Sequence, residues 1–186
     1  MALREILTEP NELLRKKSLT VEKVDKDLQK LMNDMLETMY AAPGIGLAAI
    51  QVGVPKRVIV LDIGWRNESE STKDEKQAVR KNPMYFVNPE ITWKSEDKFT
   101  YEEGCLSVPN QFAEIDRPKQ CHVTYLDYNG QPQKLKADGL LSICIQHEID
   151  HLEGILFIDY LSKLKKEMII KKLSKQTKES VERIVV

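Results

Sequence analysis

Between residues 25 and 41, Leu28, Leu31, Met32, Met35, Leu36 and Met39 recur at helical spacing. Residues three and four apart share a helix face, so this stripe predicts an amphipathic helix with its methionines packed on a core. Pro43 and Gly44 end it. The glycine-spaced stretch GIGLAAIQ (44–51) follows, and the β-branched run RVIVLDI (57–63) predicts a strand. Residues 64–83 are charged and aperiodic, which predicts a surface loop. Shorter strands are expected at 85–88, 91–94, 99–102, 121–128 and 134–136, with Asn129-Gly130 as a hairpin turn. An apolar helical run follows, with Asp138 as its cap and Gly154 at its end. A last helix is expected from near Ser162 to about Lys175.

Strands followed by helices, joined by hairpin-type links, predict an α+β fold. Antiparallel or mixed β-sheets would pack around a central helix, with a further helix at the C-terminal end. The 186 residues show no internal repeat and are read as one domain spanning 1–186.

Composition narrows the partners more than the fold. Hydrophobic residues make up 41% and charged residues 31%, as in ordinary globular proteins. A net charge of -1 gives no general attraction to DNA or to a membrane surface. No apolar run approaches the ~20 residues that span a bilayer, and the N-terminal stretch lacks the pattern of a secretory signal. Three cysteines do not suggest a disulfide framework, so a cytoplasmic, reducing location is expected. The exception is local: residues 161–186 hold eight Lys or Arg against three Glu. A solvated helix face explains such a run, and so does docking to an anionic partner.

The chemistry centres on Gln146-His147-Glu148-Ile149-Asp150-His151. In a helix, His147 and His151 lie on one face and can share a metal ion, while Glu148 stands beside them as a base for water. A catalytic site of this kind needs a third protein ligand and an open position. One zinc-peptidase pattern continues HExxHxxGxxH, but here its last position is Phe157, which cannot bind metal. A second takes a downstream glutamate, and Glu167 sits among lysines in a helix that reads as exposed. Cys144 lies one turn before His147, yet three ligands on one straight helix span about 10 Å and cannot converge, so it is read as lining a pocket or the core. Cys121 reads as a buried strand residue. Cys105, in Glu103-Gly104-Cys105-Leu106-Ser107, follows a strand and a glycine and can bring a thiolate to the site. Taken singly, Gly44 and Gly46 could merely shape a turn, and Cys105 could be a buried thiol. A zinc endopeptidase and a non-enzymatic module with a structural metal remain the alternatives to a Cys-His-His hydrolase.

Three segments together, GIGLAAIQ (44–51), EGCLS (103–107) and QHEIDH (146–151), resemble the signature motifs of the bacterial peptide deformylases, in the subgroup typical of Gram-negative bacteria. The resemblance implies a metal-dependent hydrolase that removes the formyl group from the N-terminal formyl-methionine of nascent polypeptides. It implies Cys105, His147 and His151 as metal ligands, and Glu148 as the catalytic carboxylate. Gln51 and the backbone N–H of Leu106 would face the carbonyl oxygen. Ile45, Gly46 and Gly104 would meet an extended peptide, and Ile45, Leu140, Ile143, Cys144 and His147 the methionine side chain. Glu103 would be a buried acid of the substrate site, with Arg117 as its partner. Ferrous iron is the implied metal, replaceable by zinc, nickel or cobalt. Docking of the basic tail to ribosomal RNA is implied as well. One departure is Phe112, where some members carry an arginine near the outer groove.

Overall fold

The computed structural model describes residues 2–64 and 81–184, with side chains through residue 175. The first helix, α1 (Lys26–Ala41), is the predicted amphipathic one. Asp25 caps it by accepting the Leu28 N–H at 2.9 Å, and all six stripe residues are buried. A five-stranded antiparallel sheet has the order β1-β2-β3-β6-β7. Its strands are β1 (Gly46–Ala48), β2 (Val58–Leu61), β3 (Met84–Lys94), β6 (Gln120–Leu126) and β7 (Pro132–Asp138). A separate hairpin pairs β4 (Lys98–Cys105) with β5 (Val108–Pro118). Helix α2 (Gly139–Leu152) carries the HExxH sequence, and α3 (Lys163–Ile184) closes the chain.

The unbroken apolar run of β2 has a plain cause. Val58 and Val60 face the cluster built by α1, while Ile59 and Leu61 face the cluster built by α2. The sheet is covered on both sides, so neither face of β2 can be polar. A third cluster joins Val108 and Ile115 of β5 to Phe157, Ile158 and Leu173.

Several boundaries differ from expectation. The strands expected at 85–88 and 91–94 are one strand, β3, that bulges where Asn88 (φ 51°) precedes Pro89. The Asn88 side chain offsets the interruption by bonding both backbone groups of Val21. Strand β6 ends at Leu126, and the hairpin turn around Asn129-Gly130 is a longer loop, with Asp127 accepting the N–H groups of Asn129 and Gln131. Strand β5 has no counterpart in the sequence reading, because its VPNQFAEIDRP sequence lacks a clean alternation. Asp138 occupies the cap position of α2 without capping; its carboxylate accepts from Gln120 instead. Gly154, with φ of 74°, ends α2 as expected, and a Cβ there would collide with the carbonyl of Arg15. Helix α3 outruns the expected end near Lys175. The loop expected at 64–83 lies mostly outside the described residues, at 65–80; its two described ends are tied by Asp62, which accepts from Gly64 and Asn82 N–H. No helix among the described residues is long and apolar enough to cross a membrane.

Candidate active site

Two elements deliver to one point three side chains that could hold a metal ion. His147 and His151 stand one turn apart on α2, their rings nearly edge to face at 5.1 Å. Strand β4 ends at Cys105, where its register with β5 slips and the chain turns through Leu106 and Ser107. The ligating atoms of Cys105, His147 and His151 lie within 4.8 Å of one another. Cys105 Sγ is 3.3 Å from His151 Nε2. A thiolate and an imidazole on one tetrahedral ion are roughly 3.5 Å apart, given usual bond lengths, so this donor set fits a divalent cation. The competing ligands stay outside: Glu167 is exposed on α3, Phe157 is buried and stacked beside the His147 ring, and Cys144 lies on a cavity wall.

A buried ionic group orients the first histidine. His147 Nδ1 lies 2.8 Å from Glu103 Oε2, and Arg117 grips the same carboxylate from Nε at 2.5 Å and Nη2 at 3.0 Å. Burial opposes charge on Glu103, but the bonds from His147 and Arg117 prevail and hold its carboxyl below the usual range. An ionised carboxylate only accepts, so His147 Nδ1 must carry the hydrogen, which leaves Nε2 for a metal. Burial alone would make His147 less basic; its contacts with Cys105 and Glu103 reverse this and hold it well above its ordinary value. His151 goes the other way, pushed well down by burial and by the positive charges of His147 and Arg117.

Glu148 is buried beside this pair. Burial pushes its carboxyl up to about 7, against the pull of the His147 charge and with the push of Glu103. Its Oε2 has no hydrogen-bond partner among the described residues. A carboxylate so placed has its proton affinity matched to neutral pH and a lone pair still to use. Gly46 makes room for it: a Cβ at that position would run into Glu148 Oε1.

The Gln51 amide is fixed at both ends. Its Oε1 accepts the Ala48 N–H at 2.8 Å, and its Nε2 donates to Ser107 Oγ at 3.0 Å while lying 3.7 Å from Cys105 Sγ. A cavity of about 340 Å³ opens over these groups. Its wall includes Ile45, Gly46, Gln51, Glu103, Gly104, Cys105, Leu106, Leu140, Ile143, Cys144, His147 and Glu148. Of the predicted site residues only His151 is off that wall, buried behind it. Glu103 touches the cavity, but both its oxygens are already taken by Arg117 and His147. Tyr101 and the exposed Phe112 line the outer part. At Gly104 a Cβ would press on the Phe112 ring at 2.6 Å, so the backbone there lies directly under that ring.

Two participants escaped the sequence reading. Ser107, fully buried, receives the Gln51 amide and points its own N–H at Cys105 Sγ, at 3.4 Å. Asp150 is the second anion on Arg117, at 2.7 Å. Its place inside HEIDH was the available signal, since a carboxylate one turn from His147 on the same helix needs a counter-ion if it faces the core.

Known proteins resemble the chain along nearly its whole length. The polypeptide deformylase family model matches residues 3–167. The peptide deformylase of Pelagibacter ubique is 65% identical over 175 residues, covering 94% of this chain and 95% of the relative. That of Phenylobacterium zucineum is 56% identical over 178 residues, covering 96% and 99%. Among solved structures, the peptide deformylase from Ehrlichia chaffeensis superposes with a TM-score of 0.87 at 43% identity, covering 97% of this chain and 99% of that one. The same organism's enzyme in complex with actinonin gives 0.84 at 44% identity, covering 95% and 98%. With a matched family model over most of its length and relatives this similar, the chain belongs to the peptide deformylase family.

Proposed function

We propose that Cys105, His147 and His151 hold one divalent cation, and that Glu148, Gln51 and the Leu106 backbone N–H carry the deformylation around it. The reaction itself is that of the family: metal-dependent hydrolysis of the formyl group on an N-terminal formyl-methionine, releasing formate. The observation that carries the residue assignment is the convergence of one thiol and two imidazoles beside a buried carboxylate oxygen of Glu148 that has no partner among the described residues.

A bound cation supplies Lewis acidity, which lowers the pKa of water from 15.7 toward ~7. Glu148 accepts the water proton on its carboxylate. The water oxygen attacks the formyl carbon, and negative charge grows on the carbonyl oxygen. The Gln51 Nε2 hydrogens and the Leu106 N–H meet that charge without reorganising, because the Gln51 amide is already pinned by Ala48 and Ser107. One such donor is worth roughly 2.7–4 kcal/mol of barrier. Glu148 then gives its proton to the departing nitrogen, the C–N bond breaks, and formate leaves with a free α-amino group behind. Ile45, Leu140, Ile143 and Cys144 form the apolar wall for the methionine side chain, and the bare backbone at Gly46 and Gly104 takes the peptide as an added strand.

Ferrous iron is the metal we assign, with zinc, nickel and cobalt as substitutes, since a thiolate with two imidazoles accepts all four. The test is anaerobic incubation with formyl-Met-Ala-Ser, with formate and peptide followed together. Formate without backbone cleavage is expected; cleavage would select an endopeptidase. Cys105→Ser is expected to weaken metal binding sharply, while Cys144→Ser on the cavity wall keeps it. Equal losses would sink the ligand assignment.

A nascent-chain substrate supports a cytoplasmic location beside ribosomes. Lys163, Lys165, Lys171, Lys172 and Lys175 are exposed on α3 and support docking to ribosomal RNA. Replacing these five by Gln is expected to abolish salt-sensitive co-sedimentation with ribosomes while sparing hydrolysis of short peptides. Unchanged co-sedimentation would rule the docking out.

A further inference from the structure

Gln51 and Cys105 come from different sheets. Gln51 sits in the 3-10 turn Ala49–Val52 after β1, and Cys105 ends β4 at the turn of the β4–β5 hairpin. Their spacing decides whether an amide hydrogen and the ligand set act on one carbonyl oxygen, so something must hold the two sheets in register. The N-terminal segment does this with its backbone. Leu7 N–H donates to the Gln51 carbonyl at 2.8 Å, and Glu9 N–H donates to the Ser107 carbonyl at 2.8 Å. Residues two apart in an extended chain point the same way, so alternate N–H groups of one short segment reach both loops. Ser107 is the joint between them: its carbonyl takes Glu9, its hydroxyl takes the Gln51 amide, and its N–H approaches the Cys105 sulfur.

Both ends of the segment are fastened. Upstream, Arg4 bonds Asp34 at 3.1 Å and its N–H donates to Thr38, both on α1. Downstream, Arg15 reaches back to the buried Glu9 carboxylate at 3.3 Å and forward to Asp159 at 2.6 Å. Asp159 also pairs with Lys166 of α3 at 2.5 Å and accepts the Leu156 N–H. The Ser18 N–H donates to the Leu152 carbonyl at the end of α2, just beyond His151.

Resting on the roles assigned above to Gln51 and Cys105, we infer that residues 4–15 are a positioning strap for the reaction. Leu7 and Glu9 set the distance between the Gln51 amide and the Cys105 thiolate, and Arg15 keeps the strap taut through Glu9 and Asp159. Arg15 is not on the cavity wall; it acts through the backbone of its neighbours. A loosened strap misplaces the oxyanion donor, a geometry that matters in the transition state more than in the bound substrate.

The test is a double-mutant cycle on the metal-loaded full chain with formyl-Met-Ala-Ser. Arg15→Met is expected to lower kcat by about 10- to 100-fold with KM and metal stoichiometry unchanged. Arg15→Lys, which keeps a cation between Glu9 and Asp159, should recover most of it. In a Gln51→Ala background the Arg15→Met change should cost less than about twofold more, because the donor it positions is gone. Wild-type kcat per folded, metal-loaded Arg15→Met molecule overturns the strap. So does a loss that multiplies in full with that of Gln51→Ala. If Gln51→Ala itself keeps kcat, the donor reading falls and the strap with it; a damaged Gln51→Ala beside an intact Arg15→Met sinks the strap alone. Should Arg15→Met fail to fold, Glu9→Gln, which keeps the backbone N–H and removes the ion pair, carries the same cycle with the same criteria.

Discussion

Glu148→Gln is expected to keep its metal and lose about 10²–10⁴-fold in kcat. The substitution preserves shape and removes the group proposed both to take the water proton and to return it to the leaving nitrogen. Metal retention follows from geometry: the Cys105, His147 and His151 donors converge without Glu148. The pH profile sharpens the test. Burial raises the Glu148 carboxyl to about 7, and only its ionised form is a base. A cation at the adjacent donors draws that value down, so the wild-type rate should fall as pH drops through a point at or below about 7. The residual rate of Glu148→Gln should lack that acid limb. An unchanged kcat, or an acid limb that survives the substitution, would exclude Glu148 as the base.

The second large effect concerns stability. Arg117 is 3% exposed and lies between Glu103 and Asp150, with its guanidinium over the Tyr160 ring at 4.9 Å. The Tyr160 hydroxyl donates to the same Asp150 oxygen. Arg117→Met keeps most of the volume but leaves Glu103 buried without its cation. Removing one member of a buried ion pair costs about 3–5 kcal/mol, because the remaining charge cannot return to water. For a domain of this size each kcal/mol lowers Tm by about 2–4 °C, so a fall of roughly 6–20 °C is expected. Metal affinity should weaken as well, by about 10–100-fold, since Glu103 orients His147 only while it is itself held. Arg117→Lys should fall between, as one ammonium cannot match the paired Nε and Nη2 bonds. A Tm within about 2 °C of wild type in Arg117→Met would contradict this account of the charge group.

Much of the site was legible because its signals are local. His147 and His151 are four apart on a helix whose period fixes their common face, and Glu148 rides with them. The α1 stripe and the apolar β2 run were readable for the same reason, since burial of a face imposes a period that the sequence must carry. Cys105 needed more: the thiol is 42 residues before His147 in sequence, so it was reached by setting the other ligand candidates aside and then by the family motifs. Strand β5 was invisible because its VPNQFAEIDRP sequence, with prolines near both ends, lacks a clean alternation of apolar and polar residues. Its ladder, not its side-chain pattern, makes it a strand. Asp138 was placed correctly as the first residue before α2, yet Gln120 across the sheet claimed its carboxylate.

Read along the chain alone, the pattern specified the helix face that carries two imidazoles and a carboxylate and the stripe that builds α1, because periodicity is a property of neighbours in the chain. It is in the folded chain that Arg117 joins Glu103 to Asp150, Ser107 links Gln51 to Cys105, and Leu7 and Glu9 bridge the Gln51 and Ser107 segments. Those pairings are hydrogen bonds between residues far apart in sequence. Their partners are chosen by which groups burial deprives of water together, and no local pattern records that choice.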